Sequence, residues 1–313
     1  MNILVTGIAG DIGTGIGRIL QESRIAHKLL GCDIHGEHLG ASIFDACYLM
    51  PPASSPEYLE TLKSFVKENE IQGVVVSAEP ELRFFAGQNE AALAGLPLVM
   101  ANRLAMQTGF DKLATADFIR GIGCEAPWTT PIETEEPQAF PCILKSRTGA
   151  GSRSIFLVKD ATQVEAYRAL FKGFVWQEFI PGDSDEYTCG LYGCTNGEIR
   201  TIIFRRRLAG GLTGYAELVK NDTIEALCVR IGTALQLRGS INVQLRLGVR
   251  GPLVFEINPR FSSTVAFRHR LGFTDVLWSL QEQILAKETA YHPTHPPGTR
   301  IYRTSSEVVM PPV

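Results

Sequence analysis

At 313 residues the chain has room for roughly two or three domains, and its 45% hydrophobic and 20% charged residues are those of a soluble globular protein. A formal net charge of −3 lacks the surplus of lysine and arginine that a nucleic-acid surface needs. Seven cysteines, an odd number without a C-x-x-C pair, point to neither a disulfide framework nor a zinc site, and no apolar run approaches the ~18 residues of a membrane span. The chain starts directly on a strand-like run without a signal peptide, so a reducing, cytoplasmic setting is expected.

Asn2 to Thr6 reads as a short apolar strand. It is followed by the turn Gly7-Ile-Ala-Gly10-Asp-Ile-Gly13, a helix toward Ser23, and a second strand from Lys28 to Gly31 that ends at Asp33. A glycine-rich strand-to-helix turn with an acid about 20 residues on is the dinucleotide fingerprint, because backbone amides favour phosphate and the acid binds ribose. Two readings stay open: an NAD-dependent epimerase or dehydrogenase, or a Rossmann-like βαβ unit whose glycines only allow tight packing. Short-chain dehydrogenases use a Tyr-x-x-x-Lys pair, but here Tyr58 is followed four places on by Leu62 and Tyr167 by Phe171.

Leu59, Leu62, Phe65 and Val66 stand at helical spacing, and Val74 to Val76 and Leu96 to Met100 read as further strands. This rhythm implies a parallel sheet covered by helices up to about residue 105. Glu79 falls at the carboxyl end of a strand, where open α/β sheets place ligands, or else is a loop acid. A helix is expected around Asp111 to Ile119, before Pro127, Pro131 and Pro137 break the pattern.

From Pro141 to Val158 two strands flank a loop of Gly, Ser and Thr, with Lys145 at the end of the first. Backbone N–H groups of such a loop can surround anionic oxygens, and the lysine adds a point charge. The lysine precedes the glycines, so this is not a Walker A loop; a plain hairpin is the alternative. Thr162 to Phe171 reads as an amphipathic helix and Val175 to Ile180 as an extended run. Asn196-Gly197 signals a hairpin whose return strand ends in Arg205, Arg206 and Arg207. Alternation aims Arg205 and Arg207 to one side, toward phosphate or an acidic substrate, or leaves a solvated basic strand end. Asp222 to Leu235 is a helix, and the proline-rich tail from His292 reads as a surface extension.

Between these last two lies a hairpin, S-I-N-V-Q to L-V-F-E-I-N-P-R-F, flanking Gly248 and Gly251. On a strand, successive side chains point to opposite faces. Ile241, Val243, Leu245 and Leu247 then share the apolar face with Leu253, Phe255 and Ile257. Gln244, Glu256 and Asn258 fall together on the other side. These are hard oxygen donors, and Mg2+ is usually held by one or two carboxylates plus substrate phosphates. Arg260 follows, with a planar fork suited to phosphate oxygens. An ordinary polar outer face is the alternative.

The order is thus a lysine with a glycine-rich hairpin, Q-E-F-I-P-G … E-Y-T, N-V-Q, then E-I-N-P-R. It resembles the ATP-grasp superfamily and is most similar to its carbamoyl-phosphate-synthase-like branch, over about residues 105–290. The N-terminal unit resembles the pre-ATP-grasp domain of that family, which weighs against the NAD reading. The implied fold class is α/β: a Rossmann-like parallel sheet over 1–105, then a two-subdomain α+β ATP-grasp fold with a lid at 106–175 and a large subdomain at 176–313 carrying the metal site.

The resemblance further implies that Lys112, in Asp-Lys-Leu, and Lys145 contact the α- and β-phosphates of ATP, with Gly149, Gly151, Ser152 and Ser154 in the loop that closes over them. Gln177, Glu178, Phe179 and Ile180 become the linker holding adenine, mainly through the backbone at Glu178 and Ile180. Glu186 binds the ribose hydroxyls; Asp183 and Ser184 lengthen the turn before it, and Asp185 is the neighbour that could replace it. Gln244, Glu256 and Asn258 hold Mg2+, with Mn2+ the alternative metal, and Arg260 stabilises the transferring γ-phosphoryl group. Gln244 stands where many relatives carry an acid.

The implied activity is an ATP-dependent carboxylate–amine ligase working through an acyl phosphate; a carbamoyl-phosphate-type phosphotransferase is the alternative. The implied partners are a small carboxylate, a small amine and a second copy of the chain in a homodimer, with no nucleic acid and no membrane. Arg205, Arg207, Arg268 and the Ser262-Ser263-Thr264 run are the candidates for an anionic acceptor pocket.

Overall fold

The computed structural model describes residues 1–149, 155–182, 186–304 and Val308. Its first layer is a parallel sheet of β1 (Asn2–Thr6), β2 (Lys28–Asp33), β3 (Ala46–Leu49), β4 (Gly73–Val75) and β5 (Leu98–Val99), in the order β3-β2-β1-β4-β5. Strands of such a sheet are covered on both faces, so they read as continuous apolar runs. Leu4, Leu30 and Val74 face one core, and Ile3, Val5, Leu29 and Val75 face another. The helix Asp11–Ser23 closes the second through Ile16, Ile19 and Leu20.

The glycine-rich turn serves packing here. A Cβ on Gly13 would lie 2.3 Å from the carbonyl oxygen of Gly7, so only glycine lets the helix start directly against the turn. The Asp33 carboxylate accepts from the backbone N–H of Ala9 at 2.8 Å and of His35 at 3.0 Å. The acid expected to bind a dinucleotide ribose is thus engaged in holding the turn.

The second layer is antiparallel: β6 (Thr129–Pro131), β7 (Cys142–Ser146), β8 (Ile155–Val158) and β9 (Phe174–Glu178), ordered β6-β9-β7-β8 around a small core with Trp176 and Leu144 at its centre. The expected boundary at 175/176 passes through β9. The third layer comprises β10 (Glu186–Gly193), β11 (Ile199–Ala209), β12 (Leu212–Leu218), β13 (Gly239–Gly248), β14 (Gly251–Asn258) and β15 (Arg300–Tyr302), ordered β14-β13-β10-β11-β12-β15. The tail is therefore not a plain surface extension, because Arg300–Tyr302 pairs with β12 and completes this sheet. Leu191, Ile241, Val243 and Leu245 of this sheet join Tyr58, Leu62 and Val74 of the first layer in one continuous core. Among the described residues no helix is long and apolar enough to cross a membrane.

The hairpin β13–β14 carries the feature that shapes the site. Its register runs Asn242 to Asn258 and Gln244 to Glu256, then slips so that Leu245 pairs with Val254. Phe255 is the extra residue of a β-bulge, which breaks the period-two alternation. Ile241, Val243 and Leu245 face the core as alternation requires. Phe255 does not: Val254 joins Ile257 in the core, and Phe255 turns toward the opposite cavity.

Candidate active site

A cavity of about 400 Å³ lies between the four-stranded and six-stranded sheets. The first supplies Lys145, Gly149 and the stretch Gln177, Glu178, Phe179 and Ile180; the second supplies Glu186, Gln244 and Glu256; Lys112 enters from a helix start. All ten belong to the set anticipated from the sequence. Gly151, Ser152, Ser154 and the residues Asp183, Ser184 and Asp185 lie outside the described residues.

Lys112 opens the helix Lys112–Gly121, capped by Asp111, whose carboxylate accepts from the N–H of Leu113 at 2.9 Å. The same carboxylate takes a fork from Arg147, at 2.6 Å to the nearer guanidinium nitrogen, and Lys112 N–H donates to the Arg147 carbonyl at 3.0 Å. The start of the glycine-rich segment is thereby tied to the helix N-terminus. Lys112 Nζ donates to Gly149 O at 3.0 Å and stands 3.9 Å from Glu256 Oε1. Lys145 is 5% exposed; burial brings its ammonium down to about 7, against a partial lift from the nearby Glu256 carboxylate and with Lys112 repelling it. A lysine at that balance point gains charge when an anion arrives.

Because Gln244 and Glu256 are cross-strand partners, their side chains share the cavity face. Among the described residues the Gln244 amide has no hydrogen-bond partner, so its oxygen is uncommitted. Asn258 is 8% exposed and sits outside the cavity wall, its Oδ1 accepting from Arg260 Nη2 at a long 3.3 Å. One carboxylate, one open amide oxygen and a second amide behind them fit Mg2+ completed by phosphate oxygens. Arg260 also lies beyond the cavity wall, donating to Phe261 O at 3.0 Å and standing 3.7 Å from Glu79 Oε2. Glu79 is not a loop acid: it begins the helix Glu79–Gly87 and is gripped by Arg83 at 2.7 Å.

In the linker, the Glu178 carboxylate turns away from the cavity to Arg250 of the β13–β14 turn, at 2.5 Å and 2.7 Å. That commits its side chain to Arg250. Gln177 Nε2 donates to Thr129 Oγ1 at 3.0 Å, and Ile180 O accepts from Arg246 at 2.9 Å. Glu186 meets two arginines, Arg206 and Arg246, each at 2.7 Å. Their positive charge holds its carboxyl below the usual range in spite of burial, which alone would raise it.

The proposed acceptor residues are not brought to this cavity. Arg205 and Arg207 face the other side of the sheet, Arg205 on Glu217 at 2.9 Å and Arg207 over the Tyr215 ring. The middle arginine, Arg206, is the one that enters the cavity. Arg268 is fully buried and pairs with buried Asp275 at 3.1 Å, and Ser262 and Thr264 are buried beside it. The sequence reading missed Arg206, Arg246 and Phe255 as cavity residues. Arg246 had a signal, standing two places after Gln244 on the same face; Phe255 had none, because a bulge leaves no period of its own.

The family described as ATP-grasp in the biosynthetic pathway with Ter operon matches residues 171–306. A carbamoyl-phosphate synthase of Methanobrevibacter smithii is 25% identical over 260 residues, covering 80% of this chain and 64% of the relative, so the chain spans less than two thirds of that protein. The crystal structure of N5-carboxyaminoimidazole ribonucleotide synthetase from Thermus thermophilus superposes with a TM-score of 0.73 at 18% identity, over 95% of this chain and 81% of that one. That of an L-amino acid ligase from Bacillus licheniformis gives 0.72 at 19% identity, over 91% and 74%. The fold, the ordered motifs and these likenesses agree: residues 171–306 match an ATP-grasp family model, and the chain as a whole is similar in fold to these proteins.

Proposed function

We propose that the protein is a Mg-ATP-dependent carboxylate–amine ligase. One observation carries the reading: Lys112, Lys145, Gln244 and Glu256 converge with the linker 177–180 on a single cavity of about 400 Å³, although they come from three separate parts of the chain. Glu256 and Gln244 would hold Mg2+, or Mn2+ in its place, with Asn258 behind them. The metal, when bound, neutralises phosphate charge and orients the γ-phosphoryl group. Lys112 and Lys145 bind the phosphates from the lid side, and the lid sheet excludes water as it closes. A carboxylate oxygen attacks the γ-phosphorus and ADP leaves; an amine nitrogen then attacks the acyl carbon and phosphate leaves. Arg260, which donates to Phe261 O and Asn258 Oδ1 beyond the cavity wall, would have to swing inward to reach the transferring group. Phosphoryl transfer asks little beyond such positioning and charge neutralisation.

The carbamoyl-phosphate-type phosphotransferase is the second reading, favoured by the likeness to carbamoyl-phosphate synthase. A cytoplasmic setting and a homodimer complete the proposal. It is tested by presenting acid and amine pairs with Mg-ATP and following ADP release, with mass spectrometry of the product. A condensed amide supports the ligase; ADP release with bicarbonate alone, yielding a phosphorylated product, supports the second reading.

A further inference from the structure

We infer that Glu186 does not serve the ribose hydroxyls but aims two guanidinium groups, Arg206 and Arg246, at the phosphates of the bound nucleotide. This rests on the ATP-dependent reading above. An ionised carboxylate offers about four lone-pair sites. Here all are taken: Oε1 by Arg206 Nε at 3.0 Å and Nη2 at 2.7 Å, and Oε2 by Arg246 Nε at 3.2 Å and Nη2 at 2.7 Å. The Glu186 side chain is only 11% exposed, so a sugar hydroxyl could enter only by displacing a buried, charge-assisted bond with a neutral one.

The arginines, in contrast, retain donors. Of five N–H groups on a guanidinium, each spends two on Glu186 and one elsewhere, Arg206 on Thr213 Oγ1 at 3.3 Å and Arg246 on Ile180 O at 2.9 Å. That leaves two apiece on side chains that line the cavity beside Gln244. Glu186 is the positioning residue, and the fork geometry of the pair fixes both planes. Arg246 also ties the stretch 177–180 to Glu186 through Ile180 O. The wall thus presents fixed cations where the family pattern anticipates an acceptor for sugar hydroxyls.

The test is calorimetric titration of the wild type and of Arg246→Met with Mg-ATP, 2′-deoxy-ATP and 3′-deoxy-ATP. Losing a hydroxyl bond to a carboxylate costs about tenfold or more in affinity. The expected result is that both deoxy nucleotides bind the wild type within about fivefold of ATP. Arg246→Met should weaken all three by more than about fivefold and flatten the salt dependence of Kd, which a purely structural loss leaves unchanged. A larger deoxy penalty in the wild type overturns the inference, as does an Arg246→Met protein that binds Mg-ATP like the wild type. If Arg246→Met does not fold, the wild-type comparison decides alone. A wild type that binds none of the three nucleotides overturns the ATP-dependent reading itself, and this inference with it.

Discussion

Lys145 of the four-stranded sheet donates its ammonium to the carbonyl oxygen of Phe255 at 3.2 Å, so that sheet and the β13–β14 hairpin are joined at the β-bulge itself. The bulge turns Phe255 out of the core, and the ammonium also stands 5.3 Å from the centre of its ring. A cation kept in so dry a place costs stability, and the proposed phosphate site gives it a use.

Lys145→Met should therefore raise the melting temperature at pH 7 while removing ATP turnover. The folded-state value of about 7 lies below the ordinary 10.5, so between these pH values the unfolded chain binds more protons than the folded one. Stability from this group rises with pH across that window and is lowest below 7. The gain in Lys145→Met, roughly 1–3 kcal/mol near pH 7, should shrink by pH 10. Calorimetry at the two pH values checks it; a lower melting temperature at pH 7 contradicts it.

The same balance predicts the pH dependence of nucleotide binding. Above pH 7 Lys145 must take up a proton as the phosphates arrive, so Mg-ATP affinity should fall by up to about tenfold per pH unit until the lysine of the complex titrates. Titration in buffers of different ionisation heat should show proton uptake at pH 8. An affinity flat from pH 7 to 9 would remove Lys145 from the phosphate site.

Glu256→Gln should leave the fold intact, because its side chain faces the cavity and touches the core little. Mg2+-dependent turnover should fall by about two orders of magnitude or more, since preorganised charge stabilisation is a large catalytic term. Near-normal turnover with Mg2+ would remove Glu256 from the metal site.

The structure gives Arg268 a role inside the fold. Arg268→Met leaves Asp275 buried and unpaired, and should destabilise by about 3–5 kcal/mol. Arg268→Met with Asp275→Leu should recover most of that loss. Denaturant unfolding of the three proteins checks the pair; a single variant as stable as the wild type would contradict it.

The N-terminal parallel sheet and the pairing of Gln244 with Glu256 were legible because they depend on local period and turn chemistry, whereas Lys112 was joined to them only through the ordered motifs of the ATP-grasp resemblance. Apolar runs and glycine turns marked β1 and β2 within a residue or two, and placed the β13–β14 hairpin with its far ends three or four residues off. What was not legible is non-local. Nothing in R-R-R says which arginine faces the cavity until β11 is registered against Glu186, and that register selects Arg206 over its neighbours. Phe255 was misplaced because one extra residue in a strand inverts the faces beyond it. The Arg268–Asp275 pair joins residues close in sequence, yet its burial comes from packing across the sheet at Gly190, where a Cβ would lie 2.5 Å from Arg268 Cδ.

The central claim is that a carboxylate is activated by phosphorylation in this cavity before an amine takes the acyl group. Its most direct test is oxygen transfer: a carboxylate found in the acid–amine screen is labelled with oxygen-18 and turned over with Mg-ATP and its amine. Attack of that carboxylate on the γ-phosphorus carries one labelled oxygen into the phosphate released when the amide forms. The account predicts labelled inorganic phosphate equal in amount to the amide, with both lost in Lys145→Met. Unlabelled phosphate, or a stable phosphorylated product without amide, would contradict it.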